Sequence, residues 1–285
     1  MGVRVLPRVL RALSRETNTA VSVSLRAGLA SETGAFRDVN QDAAFAAVWG
    51  VGVADGVGGG PAGDLASAAL VHRLVAGGTR VPDAHALGAR VRGANWDLGA
   101  HVRRDPSLAG MATTLTTLWL SFDGELLLAH TGDSRAYLLR EGRLTRQTRD
   151  DSYVQVLVER GVVRPEDAMM HPQRNIITAS LRGGERDLVH VAASTPVVGD
   201  RWMICSDGVS DYLPDDAIAD VVAGNAEPQV VAEHLVALAL QAGSRDNVTA
   251  VIADVVDAAA VTVPGAVMFA GAAAARFMED VTLAG

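Results

Sequence analysis

Short apolar runs that stop or start at an aspartate constrain this chain more than any other feature. The run Ala46 to Ala54 ends at Asp55, and glycines follow at 56, 58, 59 and 60. Its length and valine content predict a buried strand, with Asp55 at the end where the backbone turns. The arrangement recurs. Trp202 to Ser206 runs into Asp207-Gly208, and Asp246-Asn247 opens the run Val248 to Val256. Asp42 precedes Ala43 to Val48, and Asp133 lies between Leu126–His130 and Ala136–Leu139. Taken singly, each Asp-Gly is an ordinary turn. Taken together, these aspartates predict one acidic cluster at one edge of a sheet system, a crowding that cations neutralise. A carboxylate beside a bare glycine carbonyl is a pair of hard oxygen donors suited to Mg²⁺ or Mn²⁺.

With 285 residues and 49% hydrophobic content, the chain builds a sizeable core, and no polar linker interrupts its interior. A net charge of −8 argues against non-specific nucleic-acid binding. The single cysteine, Cys205, excludes a disulfide framework, reads as a core residue and makes the cytoplasm the default compartment. Every basic residue other than histidine is arginine, which together with the Ala, Gly and Val content points to a GC-rich bacterial genome.

At the N-terminus, Arg4, Arg8, Arg11 and Arg15 alternate with Val5, Leu6, Val9, Leu10 and Leu13. The arginines break up any signal-peptide core. A basic amphipathic helix on an anionic membrane is one reading, and a docked or frayed terminal helix is the favoured one. Ala258 to Ala275 carries no charge, but its Ala and Gly content and Pro264-Gly265 favour a terminal strand and a small-residue helix over a membrane span.

Between the ends, the pattern predicts strands over Val21–Ala30, Gly110–Leu120, Glu125–His130, Arg135–Leu139, Leu188–Ala192, Arg201–Ser206 and Asn247–Val256. The three from Gly110 to Leu139 read as an antiparallel meander, with a further turn at Glu141-Gly142. Helices are predicted over Asp64–Ala76, Ala84–Arg104, Tyr153–Arg160, Pro214–Val222 and Gln229–Ala242. Gly161 to Arg182 reads as an irregular excursion of the kind that gates a site. Arg37, near Asp42, offers a planar fork suited to two phosphate oxygens, or equally to an aspartate close by in sequence.

Arg37-x-x-Asn40-Gln41-Asp42, Asp55-Gly56-x-Gly58-Gly59, Thr113-Thr114-Leu115, Gly132-Asp133-Ser134-Arg135-x-Tyr137, Ser206-Asp207-Gly208 and Asp246-Asn247-Val248-Thr249 follow one another in order. In this order and rough spacing they resemble the metal-dependent protein phosphatases of the 2C type, which act on phosphoserine and phosphothreonine. His171-Pro172 and Asn175-Ile176-Ile177-Thr178 are similar to the flap of bacterial members. The resemblance implies an α+β fold: a central antiparallel β-sandwich flanked by helices on both faces, in α-β-β-α layers. It divides the chain into a basic segment, 1–20, a catalytic domain, 21–256, and an Ala/Gly-rich extension, 257–285.

It also implies two Mg²⁺ or Mn²⁺ ions and a third, weaker one. Asp55 would bridge the pair, with the Gly56 carbonyl, Asp207 and Asp246 as further ligands. Asp133 would share the third ion with Asp207. Arg37 would bind phosphate, Asp42 would hold metal-bound water, and Asn247 would orient the ligand loop beside it. The implied reaction is in-line attack of a metal-bridged hydroxide on phosphorus. The implied partners are phosphoproteins made by a serine/threonine kinase, with no nucleic acid.

Three positions depart from the family pattern. Gly60 stands where many relatives carry a histidine proposed to protonate the leaving alkoxide, a role worth about 10²–10⁴-fold. Its loss implies a slower enzyme or a proton drawn from metal-bound water, and His171 is the histidine placed to approach instead. Gln41 replaces a common glutamate. Thr148-Arg149-Asp150-Asp151-Ser152 lacks the histidine of a common Thr-x-Asp-His-Ser. These departures leave a second reading, a metal-binding but weakly active or inactive module that docks a phosphoprotein. No Asp-x-Asp nucleophile follows the first strand, as a haloacid-dehalogenase phosphatase would need, and no twelve-residue loop carries an EF-hand's alternating ligands.

Overall fold

The computed structural model describes residues 22–57, 62–261 and 265–276. The basic segment 1–20 and Gly58, Gly59 and Gly60 lie outside the described residues. The chain opens with β1 (Val23–Glu32), β2 (Asp42–Ala47) and β3 (Gly50–Val57), then α1 (Gly63–Val75) and α2 (Ala84–Arg104). Strands β4 (Ala112–Thr113), β5 (Leu115–Leu120), β6 (Leu126–Thr131), β7 (Arg135–Arg140) and β8 (Arg143–Arg146) follow. Helix α3 (Tyr153–Glu159) leads into an irregular stretch, then β9 (His190–Ser194) and β10 (Arg201–Cys205). The rest is α4 (Asp207–Ser210), α5 (Asp215–Val222), α6 (Pro228–Gln241), β11 (Val248–Asp257), β12 (Met268–Gly271) and α7 (Ala272–Ala275).

Two antiparallel sheets stack face to face. One has the order β1-β11-β10-β7-β8, the other β12-β2-β3-β5-β6-β9, with β4 paired to β3. Strand alternation sends side chains to opposite faces. Val51, Val53, Leu118, Leu120, Ile204, Val251 and Val255 fill the space between the sheets. Phe45, Leu115, Trp119 and Leu127 face outward against Leu70 and Leu74 of α1 and Leu87, Val91 and Leu98 of α2. On the other side, Met203, Ala250 and Ile252 pack on Ile218 of α5 and Leu235, Val236 and Ala239 of α6. The layering is the α-β-β-α sandwich that the resemblance implies.

The predicted strand Ala46–Ala54 is not one strand: Ala46 and Ala47 belong to β2 and Gly50 onward to β3. The chain folds back at Val48-Trp49, so that Asp42 pairs directly with Asp55 and Ala47 with Gly50. Neither of the turn's two central residues, Val48 and Trp49, is a glycine or asparagine. The turn is held from outside, by Leu25 N–H on the Val48 carbonyl (2.9 Å) and Leu120 N–H on the Trp49 carbonyl (2.8 Å). The predicted meander is also corrected. β5 and β6 form a hairpin in one sheet, but Gly132 to Ser134 carries the chain across, and β7 joins the other sheet beside β10. Thr114 breaks the predicted strand Gly110–Leu120 into β4 and β5.

The C-terminal residues form a strand and a short helix of small residues. β12 pairs with β2, and Gly271, at φ +62°, sits opposite Ala43. A Cβ there would lie 2.1 Å from the Asp42 carbonyl oxygen. His72 of α1 bonds the Ala273 carbonyl (2.8 Å), and Arg276 Nε donates to Asp64 (2.7 Å) at the start of α1. Among the described residues no helix is long and apolar enough to cross a membrane.

On the other sheet, α6 docks on β1. The Gln229 side chain accepts from Leu29 N–H (3.1 Å) and donates to its carbonyl (3.0 Å). A Cβ on Gly28 would lie 2.2 Å from the Gln229 nitrogen. Gly28→Ala is therefore expected to lower stability by about 1–3 kcal/mol, as overpacking does. Urea unfolding is the check, with a shifted midpoint at constant slope as the predicted result.

Candidate metal centre

The inward-facing rows of β2 and β3 change from apolar to acidic at one end of the sandwich. Ala46 and Ala44 lead to Asp42, and Val51 and Val53 lead to Asp55, directly opposite. The Asp55 backbone is clamped by the Thr113-Thr114 pair. Asp55 N–H donates to Thr114 Oγ1 (3.0 Å), and Thr114 N–H (2.8 Å) and Thr113 Oγ1 (2.9 Å) donate to the Asp55 carbonyl. Thr114 Oγ1 also meets Ser134 Oγ at 2.9 Å, which ties the Gly132–Ser134 crossover, and Asp133 with it, to the same point. A Cβ on Gly56 would lie 2.3 Å from the Gly63 carbonyl oxygen, so only glycine allows the chain to close in here.

The other sheet contributes Asp207 and Asp246. Asp207 opens α4, and a Cβ on Gly208 would lie 1.9 Å from the Asn247 carbonyl oxygen. This contact packs the start of α4 against the start of β11. Asn247 is buried and fully engaged: its Oδ1 accepts from Gln41 N–H (2.8 Å), and its Nδ2 donates to Thr33 (2.9 Å) and Val39 (3.1 Å). It thereby fixes the loop that carries Arg37. Arg37 Nη2 donates to Asp246 Oδ2 at 2.7 Å, a partner distant in sequence rather than a neighbouring aspartate. Ser206 Oγ donates to Asp42 Oδ2 (2.7 Å) across the sheets.

Arg37, Asp55, Gly56, Asp133, Asp207 and Asp246 line one cavity of about 240 Å³. Asp42 does not line it and lies behind, 1% exposed. From the flap, Asn175 and Ile177 reach the cavity, whereas His171 does not. Gly60 lies outside the described residues.

Crowding and burial make ionisation costly at this end of the sandwich. Burial, then the charges of Asp42 and Asp207, hold the Asp55 carboxyl well above the usual carboxylate range. Asp207 is raised likewise, by burial and by Asp133 and Asp211. Burial lifts Asp133 to about 7, helped by Asp150 and Asp211. It lifts Asp42 to about 6, against the opposing hydrogen bonds of Thr249 and Ser206. Asp207 Oδ1 is buried with no hydrogen-bond partner. Such carboxylates need cations, and an all-oxygen donor set fits Mg²⁺ or Mn²⁺. Among the described residues no three His, Cys, Asp or Glu side chains converge as a ready-made cage for one ion. The donors ring the cavity instead.

Sequence reasoning missed several contributors. Asp211 lies four residues after Asp207, one helical turn away, and its carboxyl is also raised by burial. That spacing was a readable signal. Asp150 pairs with Arg135 (2.8 Å) and Arg146. Asp151, in the histidine's place, clasps the crossover: its Oδ2 accepts from Gly132 N–H (3.0 Å) and its own N–H donates to the Gly132 carbonyl (2.7 Å).

A crystal structure of the Mycobacterium tuberculosis serine/threonine phosphatase PstP/Ppp matches with a TM-score of 0.77 at 39% identity, covering 81% of this chain and 98% of that one. The chain belongs to the metal-dependent serine/threonine protein phosphatases. A second phosphatase structure, the PstP catalytic domain in complex with two manganese ions, matches with a TM-score of 0.75 at 38% identity, covering 82% of this chain and all of that one (100%). In sequence, the M. tuberculosis serine/threonine protein phosphatase PstP is 40% identical over 242 residues, 83% of this chain and 46% of that protein. The chain thus spans about half the length of this curated phosphatase. No family-level sequence model matches it.

Proposed function

We propose that this chain hydrolyses phosphoserine and phosphothreonine on proteins, with Mg²⁺ or Mn²⁺, and opposes a serine/threonine kinase. One observation carries the reading: carboxylates from both sheets meet Arg37 around a single cavity. Asp55, the Gly56 carbonyl, Asp207 and Asp246 are the residues to hold an ion pair, and Asp133 with Asp207 a third ion. When bound, such ions lower the pKa of water and neutralise phosphoryl oxygens.

The chain's own residues do the rest. Arg37 presents its fork to the phosphate, whose oxygens replace the Asp246 carboxylate as its partner. Asp42, buried behind the cavity, is held in place by Ser206 and backs the Asp55 strand. The Thr113-Thr114 clamp and Asn247 fix the positions of Asp55 and of the Arg37 loop.

The test is hydrolysis of p-nitrophenyl phosphate and a phosphothreonine peptide with Mn²⁺, with Mg²⁺ and with EDTA. Turnover that requires metal is expected. Folded, metal-loaded protein that hydrolyses neither substrate returns the chain to the docking-module reading. Arg37→Ala is expected to lower kcat/KM by roughly 10–100-fold, the worth of a charged hydrogen bond, mainly through a higher KM.

A further inference from the structure

Arg37 and Asp246 meet across the cavity rim at 2.7 Å, and the residues just before them in the chain also meet. The Arg245 guanidinium carbon lies 5.0 Å from the centroid of the Phe36 ring. Phe36 is 59% exposed, so the ring and the guanidinium stacked on it both face solvent beside the cavity rim. Val39 and Ile176 are also exposed.

The cations nearest the cleft are otherwise committed. Arg37, Arg135, Arg146 and Arg174 each pair with a carboxylate. Arg245 has no hydrogen bond or ion pair among the described residues. It is nonetheless anchored. Ser244, just before it, is buried, and its hydroxyl donates to the Gly208 carbonyl (2.9 Å) on the helix that Asp207 opens. A guanidinium stacked on a ring has fewer rotamers to lose when an anion arrives.

The geometry points to Arg245 as a specificity residue that receives an anionic side chain flanking the phosphoserine or phosphothreonine. This rests on the phosphatase reading. The anion is a carboxylate or a second phosphate, since a guanidinium takes either through the same fork. Phe36 holds the guanidinium in place.

The experiment compares phosphothreonine peptides that differ only in the three residues on each side: Ala, Asp, Lys, or one added phosphoserine. At low salt the wild type is expected to turn over an acidic peptide about fivefold faster, in kcat/KM, than its lysine counterpart, the upper range for a single exposed ion pair. Arg245→Ala brings the ratio near one, and Arg245→Glu inverts it. A gain with phosphoserine but not Asp upholds the assignment and names phosphate as the anion. A wild-type ratio near one, or an unchanged ratio in both variants, overturns it. If the wild type fails on p-nitrophenyl phosphate with Mn²⁺, the phosphatase reading falls. The same peptides measured by fluorescence anisotropy, as a ratio of Kd, then decide the role of Arg245 separately.

Discussion

Asp207→Asn is expected to lower metal-dependent turnover by roughly 10²–10³-fold while the protein stays folded, as loss of a centrally placed electrostatic group does. Asp207 belongs to both candidate ion positions, and its Oδ1 is buried with no partner. Burial and four surrounding carboxylates make its charge a liability to the metal-free fold. Asparagine keeps the shape and removes that charge. The metal-free variant should therefore melt no lower than the metal-free wild type, even as activity collapses. Steady-state kinetics with Mn²⁺ beside thermal melts in EDTA make the comparison. A variant that keeps a tenth of wild-type turnover would remove Asp207 from the centre.

Metal removal should also change how stability depends on pH. The Asp133 carboxyl titrates near 7 in the folded chain, against 3.8 for an unperturbed aspartate, and Asp42 near 6. Between 3.8 and about 7 the folded chain holds protons that the unfolded chain has released. The stability of the metal-free protein therefore falls as pH rises through that window. A melt in EDTA should give a higher Tm at pH 5.5 than at pH 8. Mn²⁺ at a hundredfold excess over its Kd supplies about 3 kcal/mol per ion. At pH 7.5 this raises Tm by roughly 5–10 °C for a chain of this size. The rise should shrink at pH 5.5, where protons compete for the same oxygens. A Tm that ignores Mn²⁺ at pH 7.5 would contradict the reading.

What was legible in the sequence was local. Helix α2 keeps its predicted bounds, Ala84–Arg104; the structure shows Asp83 capping it, accepting from Ala86 N–H (2.8 Å), and Leu87, Val91 and Leu98 buried along it. The alternating strands were legible too. The turn at Val48-Trp49 was not, because its carbonyls are satisfied by β1 and β5 rather than by turn residues. The crossing at Gly132–Ser134 looked like a hairpin because Gly-Asp is hairpin chemistry. Its destination is set by Thr114 and Asp151, both remote in sequence. Within the candidate site, the aspartates stood out at the margins of apolar runs. Their pairing, Asp42 against Asp55 and Arg37 against Asp246, depended on register and loop packing that no spacing encodes.

The strand opposite Asp55 would be the outermost of its sheet if the chain stopped at β11. β12 covers it instead, and Arg276 and His72 fasten that cover to α1. An uncovered strand is a template for another molecule's backbone and the first part of a sheet to fray. With β12 zipped along it, Asp42 rides on an interior strand whose amides open only when the sheet does. The acidic end of the sandwich thus borrows its rigidity from residues more than two hundred positions away in the chain, and the same residues close it to strand exchange between molecules.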